Sequence, residues 1–131
     1  MGTLANVGLV FLGGGIGSAL RYGVGHAAVA IVGPGFPAGT LAVNVSGCVA
    51  IGVLVEWLAL RDPGIDMSVK LFLTTGLLGG FTTFSAFALD TAALWLRGES
   101  AVTVVYVVAS VTLSIAGLFA GMALARVALA T

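Results

Sequence analysis

The chain has 131 residues, 60% of them hydrophobic and 8% charged, with five basic and five acidic side chains that balance to a net charge of +0. A soluble domain is about a quarter charged, so these few charges cannot cover a water-soluble globule of this size. With a mean hydropathy of +1.19, the composition excludes a soluble enzyme, a nucleic-acid binder and a disordered segment, and leaves an integral protein of the lipid bilayer.

A helix needs about 20 mainly apolar residues to span a bilayer. The first such run covers about residues 4–32. Its start, Met1-Gly2-Thr3-Leu4-Ala5, lacks the positive n-region of a signal peptide, so the run is expected to be kept as a span. It holds Gly13-Gly14-Gly15-Ile16-Gly17 and, later, Arg21 and His26. A lone His26 gives no basis for a metal site. Gly33-Pro34-Gly35-Phe36-Pro37 is a turn by composition. The second run, about 38–60, contains Asn44, an amide donor, and Cys48, the single cysteine. Cys48 is read as a small buried hydrophobe. Asn44-Val45-Ser46 matches a glycosylation sequon but falls inside the membrane, so the match is discarded.

Arg61-Asp62-Pro63-Gly64-Ile65-Asp66 is the most polar stretch and separates the second run from the third, about 69–96. Arg97-Gly98-Glu99-Ser100 then leads into the fourth, about 102–128. Trp57 and Trp95 lie near span ends, where an indole with one wet edge is favoured. The reading is an all-α membrane protein of four transmembrane helices in one domain. No connection is long enough for an extramembrane active site.

With four spans, Arg61, Lys70 and Arg126 fall on one side and Arg21 and Arg97 on the other. Orientation follows the Lys/Arg asymmetry of short loops, and here that asymmetry is slight. Insertion in both orientations is compatible with it, and two inverted copies would form an antiparallel dimer. Gly13–Gly17 and Gly117–Gly121 have the spacing that lets helix backbones approach. That spacing serves packing within one chain as readily as between two.

Polar groups inside a membrane are costly unless partnered, so they are the functional candidates. Glu56 and Asp90 lie toward span ends, which argues against a carrier built on a central carboxylate. The mid-membrane polar groups are neutral. On the fourth span Thr103, Tyr106, Ser110 and Ser114 recur at spacings of 3, 4 and 4, one polar stripe on an apolar helix. Phe84 and Phe87 share a face of the third span. They are filler by default, although ring edges carry positive partial charge that attracts an anion.

The middle of the third span, Gly76-Leu77-Leu78-Gly79-Gly80-Phe81-Thr82-Thr83-Phe84-Ser85-Ala86-Phe87, is poor helix sequence. Each glycine costs about 1 kcal/mol against alanine, and adjacent threonines crowd the preceding turn. A break near Gly79 to Thr83 is expected. Freed backbone at that depth must be satisfied by protein, water or an ion. Carbonyls without a carboxylate suit a monovalent cation such as Na⁺. The alternative is that the glycines serve packing and the threonines bond back to their own helix.

Three motifs, Gly14-Gly15-Ile16-Gly17-Ser18-Ala19-Leu20-Arg21-Tyr22, Gly39-Thr40-Leu41-Ala42-Val43-Asn44-Val45-Ser46-Gly47 and the third-span segment quoted above, resemble the Fluc (CrcB) fluoride channels, span for span. The resemblance implies a dual-topology antiparallel homodimer in a microbial plasma membrane that exports fluoride passively. It implies a structural Na⁺ held by main-chain carbonyls, mapping to Gly79 and Thr82. Asn44 would be the pore amide, Phe84 and Phe87 the aromatic pair, and Tyr106, Ser110 and Ser114 the hydroxyl track. Thr40 and Ser85 join the fluoride pathway, and Arg21 takes a structural or vestibule role. Asp90 and Ala86 depart from the family pattern, where Glu and Thr are frequent. The sequence leaves two rivals: a small multidrug-type proton-coupled exporter, whose nearest carboxylate would be Glu56, and a non-transporting assembly subunit.

Overall fold

A computed structural model of the chain describes residues 2–61, Arg61 by its backbone, and 64–130. Met1, Thr131 and the Asp62-Pro63 part of the polar second connection lie outside the described residues. All regular structure among the described residues is helical. Helix α1 is Thr3–Val32 and α2 is Ala38–Arg61. The third span is segmented into α3 (Met67–Leu71), a π-helical stretch Phe72–Leu78, α4 (Gly79–Phe81) and α5 (Phe84–Leu96). Helix α6 is Ser100–Leu129.

Four stretches, Thr3–Val32, Ala38–Leu60, Met67–Leu96 and Ser100–Leu129, are long and apolar enough to cross a membrane. Spans of 30 residues would reach about 45 Å if fully helical, beyond the ~30 Å hydrocarbon core, so their ends enter the interface. Glycine terminates α1 and α5. Gly33 at φ 88° donates its N–H to the Val29 carbonyl at 2.9 Å, and Gly98 at φ 79° donates to Trp95 at 2.9 Å. Only glycine takes these left-handed angles without strain. The Asp66 carboxylate starts α3 by accepting the Ser68 N–H at 3.0 Å. That bond and the Ser68 hydroxyl hold the Asp66 pKa below the ordinary carboxylate value.

Packing follows two glycine seams. Gly13 and Gly17 of α1 lie against Gly76, Leu77 and Gly80 of the third span. Gly52 of α2 meets the Leu118 backbone of α6, while Gly117 and Gly121 of α6 meet Val45 and Val49 of α2. Both glycine motifs therefore pack within the chain. The outward faces carry exposed Leu4, Phe11, Leu20, Ile31, Phe119 and Val127, as a lipid-facing protein requires. Buried positions include Val43, Leu94 and Tyr106 together with the polar Glu56, Thr83, Thr103 and Ser110. Near the ends of α2 and α6, buried Glu56 accepts from Arg126 Nε at 2.6 Å.

Candidate functional site

Three helices present chemistry to one another. On α2, Thr40, Asn44 and Cys48 recur every fourth residue and share a face. On α6, Tyr106, Ser110 and Ser114 do the same. Between them lies the start of α5 with Thr83, Phe84 and Phe87. A cavity of about 260 Å³ is lined by Asn44, Cys48, Thr82, Thr83, Phe84, Phe87, Ser110, Val111, Ser114 and Ile115. It brings together six of the residues singled out by sequence: Asn44, Thr82, Phe84, Phe87, Ser110 and Ser114. The Ser110 hydroxyl is buried on the cavity wall and faces the Tyr106 hydroxyl one turn before it.

One turn along each helix the polar track closes. Asp90 Oδ2 accepts from Thr40 Oγ1 at 2.6 Å and from the Tyr106 hydroxyl at 3.2 Å. Tyr106 is fully buried, its ring 5.4 Å from Phe87 and edge-on to Phe36 at 5.7 Å. Beyond this cluster is a second cavity of about 250 Å³, with Thr40, Asp90, Phe36 and Arg97 in its wall. Arg97 Nη2 donates to the Gly35 carbonyl at 2.8 Å and fastens the first connection over it. Thr103, at the start of the predicted hydroxyl stripe, bonds back to the Glu99 carbonyl of its own helix at 2.9 Å and lines neither cavity.

Thr82 and Thr83 both have extended backbone angles, φ −84°, ψ 158° and φ −156°, ψ 119°. Gly79, placed by sequence at the start of the irregular segment, is helical at φ −63°, ψ −37°. The π-helical residues just before it widen the coil, and the Gly79 N–H reaches back to Thr74 and Gly76. Asn44 accounts for the extended pair. Its Oδ1 accepts the Thr83 N–H at 2.7 Å and its Nδ2 donates to the Thr83 carbonyl at 3.0 Å. The Asn44 amide is thus a two-point clasp on backbone, with one N–H left over for the cavity.

The clasp redirects the neighbouring hydrogen bonds. In an unbroken α-helix the Thr83 N–H would bond the Gly79 carbonyl, and the Ala86 N–H the Thr82 carbonyl. Asn44 takes the first donor, and the Thr83 hydroxyl takes the second at 3.1 Å. The carbonyls of Gly79 and Thr82 thereby lose their helical donors. The Gly80 carbonyl accepts instead from Ser18 Oγ at 3.4 Å. Hard oxygen dipoles of this kind fit a monovalent cation better than a soft or strongly Lewis-acidic metal.

The remaining predicted residues lie at the margins. Ser85 is exposed, its hydroxyl 3.3 Å from that of Thr83. Arg21 sits on α1, donates to Ser18 Oγ at 3.4 Å and lines neither cavity. Phe84 is 78% exposed and Phe87 only 9%, so the paired rings, 5.4 Å apart, join the buried cluster to the outer face.

Sequence reasoning missed three contributions. Asp90 is the shared acceptor for two hydroxyls, Thr83 is the cap of α5, and Cys48 is partly buried on the cavity wall rather than fully buried in packing. The i, i+4 relation of Cys48 to Asn44 was the available signal for the last. The others depend on partners far apart in the chain.

The sequence pattern of the family described as "CrcB-like protein, Camphor Resistance (CrcB)" matches residues 8–122. Proteins named "Fluoride-specific ion channel FluC" are similar along almost their whole length. One from Rhizobium etli is 54% identical over 118 residues, 90% of this chain and 94% of the relative. One from Agrobacterium fabrum is 51% identical over 123 residues, 94% and 98% of the two chains. One from Paracoccus denitrificans is 54% identical over 117 residues, 89% and 91%. A pattern match that takes in parts of all four spans, with half-identity to full-length relatives, places this chain in the CrcB family.

Proposed function

We propose that this multi-pass membrane protein conducts fluoride passively along the track from the outer cavity, past Thr40, Asp90 and Tyr106, into the cavity of Asn44, Phe87, Ser110 and Ser114. The observation that carries the reading is the convergence of Asn44, Ser110 and Ser114, neutral polar side chains at membrane depth, on one cavity. Fluoride is small and strongly hydrated. It needs replacement donors on entry, and neutral donors let it leave again, as conduction demands. Across a negative-inside membrane each exported anion gains about 2.3 kcal/mol per 100 mV, so export needs no fuel. In a bacterium this places the protein in the plasma membrane.

The dual-topology homodimer belongs to the same proposal. Near-balance of the five cations about the membrane supports it. In an antiparallel pair the Gly79 and Thr82 carbonyls of both copies would hold one Na⁺. The ion would supply a fixed positive charge that joins the copies. The loss of helical donors at both carbonyls supports that assignment. The multidrug-exporter reading is weakened by Glu56, whose carboxylate is buried and ion-paired with Arg126 rather than facing a cavity.

The test is efflux from liposomes loaded with fluoride or chloride. Fluoride is expected to leave and chloride to stay, and equal rates for the two would reject the reading. Protein purified and reconstituted without Na⁺ is expected to lose efflux and to regain it when Na⁺ is restored. Unchanged efflux in Na⁺-free protein would remove the cation from the proposal.

The two rings separate in the same assay. Phe84→Ile is expected to reduce fluoride efflux about tenfold while changing stability by less than about 0.5 kcal/mol, because that ring is 78% exposed. Phe87→Ile is expected to reduce efflux similarly but to lower stability by about 1–3 kcal/mol through lost packing on Tyr106. Thermal midpoints in detergent beside efflux rates check both, and wild-type rates in both variants would leave the rings as packing.

A further inference from the structure

The charged residues in the wall of the outer cavity are Asp90 and Arg97. Asp90 is held by the Thr40 and Tyr106 hydroxyls, and its negative charge opposes an approaching anion. Among the described residues of that wall, Arg97 alone carries a charge that attracts fluoride. Its guanidinium has five N–H groups. Nη2 donates one to the Gly35 carbonyl at 2.8 Å, and Nε donates its own to Glu99 Oε1 at 2.8 Å. The others are left for water or an anion. The pair with Glu99 is built by the turn between α5 and α6. Gly98 takes φ 79°, the Glu99 N–H donates to the Leu94 carbonyl at 3.1 Å, and the Glu99 carbonyl accepts the Thr103 N–H at 2.9 Å. The Glu99 side chain makes no capping hydrogen bond to α6, and its carboxylate is paired with Arg97.

We propose that Arg97 gathers fluoride at the outer mouth of the track, and that Glu99 restrains the flux by cancelling part of the Arg97 charge. The proposal rests on the reading of this track as the fluoride path. In formal charges, Arg97 at +1 with Glu99 and Asp90 at −1 each leaves the mouth at −1. Removing the Glu99 charge brings it to zero, and removing the Arg97 charge brings it to −2. Both members of the pair reach solvent, with side chains 45% and 39% exposed, so their field acts through water and is weakened by salt. A unit charge about 7 Å from a passing anion in water changes its local concentration about two- to threefold. Glu99 lies outside the cavity wall and acts on the anion through Arg97 and its own field, not by contact.

The experiment measures fluoride efflux from liposomes holding the full chain, in symmetric potassium gluconate at about 0.01 M and about 1 M, where charges are screened over about 30 Å and about 3 Å. Glu99→Gln keeps the Arg97 bond to Gly35 and is expected to raise efflux about two- to threefold at low salt. Arg97→Gln is expected to lower it by a similar factor, and Arg97→Lys, which keeps the charge, to stay near the wild-type rate. At high salt the Glu99→Gln and wild-type rates should converge, which a purely structural role for the pair would not produce. A wild-type rate for Glu99→Gln at low salt would overturn the proposal, as would a change of equal size at both salt concentrations. Loss of efflux in Arg97→Lys as deep as in Arg97→Gln would also overturn it, by assigning Arg97 to the Gly35 bond instead of to its charge. Each of these results leaves fluoride conduction standing. Wild-type protein with no fluoride efflux at either salt concentration would instead overturn the conduction reading and the proposal with it.

Discussion

Asn44→Ala is expected to abolish fluoride efflux and to destabilise the protein by about 2–6 kcal/mol. The substitution strips both partners from the Thr83 backbone, whose N–H and carbonyl are each held by the Asn44 amide, at 2.7 and 3.0 Å. A buried polar group left unpaired loses about 1–3 kcal/mol, and water is scarce at this depth to replace the bond. Two such groups give the range stated. The function suffers separately. Without the clasp nothing fixes the Thr83 backbone in place, and the cavity wall made by Thr82, Thr83 and Phe84 is displaced. Thermal midpoint in detergent and efflux from liposomes check the two parts. A variant with a wild-type midpoint would show that the clasp is not what holds Thr83 extended.

Gly52→Ala and Gly121→Ala are expected to disrupt the α2–α6 crossing, each to the point of poor recovery of folded protein. A Cβ on Gly52 would overlap the Leu118 carbonyl oxygen and come within 3.1 Å of the Met122 nitrogen. A Cβ on Gly121 would overlap the Val49 carbonyl oxygen and come within 3.0 Å of the Val53 nitrogen. These obstacles are backbone, so no rotamer change relieves them and the helices must separate. Overpacking of a core costs about 1–3 kcal/mol when side chains can move, and here the penalty is expected at or above that range. The same crossing aligns the Asn44 face with the Ser110 face, so efflux falls with stability. Gly8→Ala is the control: nothing lies within 4 Å of a Cβ there, and a change below about 0.5 kcal/mol is expected. Size-exclusion profiles and thermal midpoints of the three variants provide the check.

The spans were legible because length and continuous apolarity are local properties of the chain. The second run read as 38–60 and the helix is Ala38–Arg61; the fourth read as 102–128 and the helix is Ser100–Leu129. Much of the cavity wall was legible too, because Asn44 and the Ser110–Ser114 pair are rare polar residues in apolar surroundings. What stayed hidden was pairing at a distance. Thr83 meets Asn44 across 39 residues and Asp90 meets Thr40 across 50, and nothing in either local stretch names its partner. The Asn44 amide was therefore read as a pore donor, with no sign that its oxygen and one of its N–H groups hold the Thr83 backbone. Within the stretch Gly79 to Thr83, the exact position was set by the same distant pairing. The low helix propensity of Gly79 marked the right neighbourhood, but the extended angles fall at Thr82 and Thr83, where an outside acceptor captures the N–H.

That capture makes the shape of the third span a joint possession of two strands of sequence. Cut free as a synthetic peptide in lipid, residues 67–96 would carry every letter of the motif yet lack the carboxamide that diverts Thr83, and the amide would turn inward to Gly79 and restore a continuous coil. The proposed cation seat would in this sense be absent from the segment that supplies its oxygens. It would form only when the second span docks, so Na⁺ binding would report on completed folding rather than on the presence of the motif.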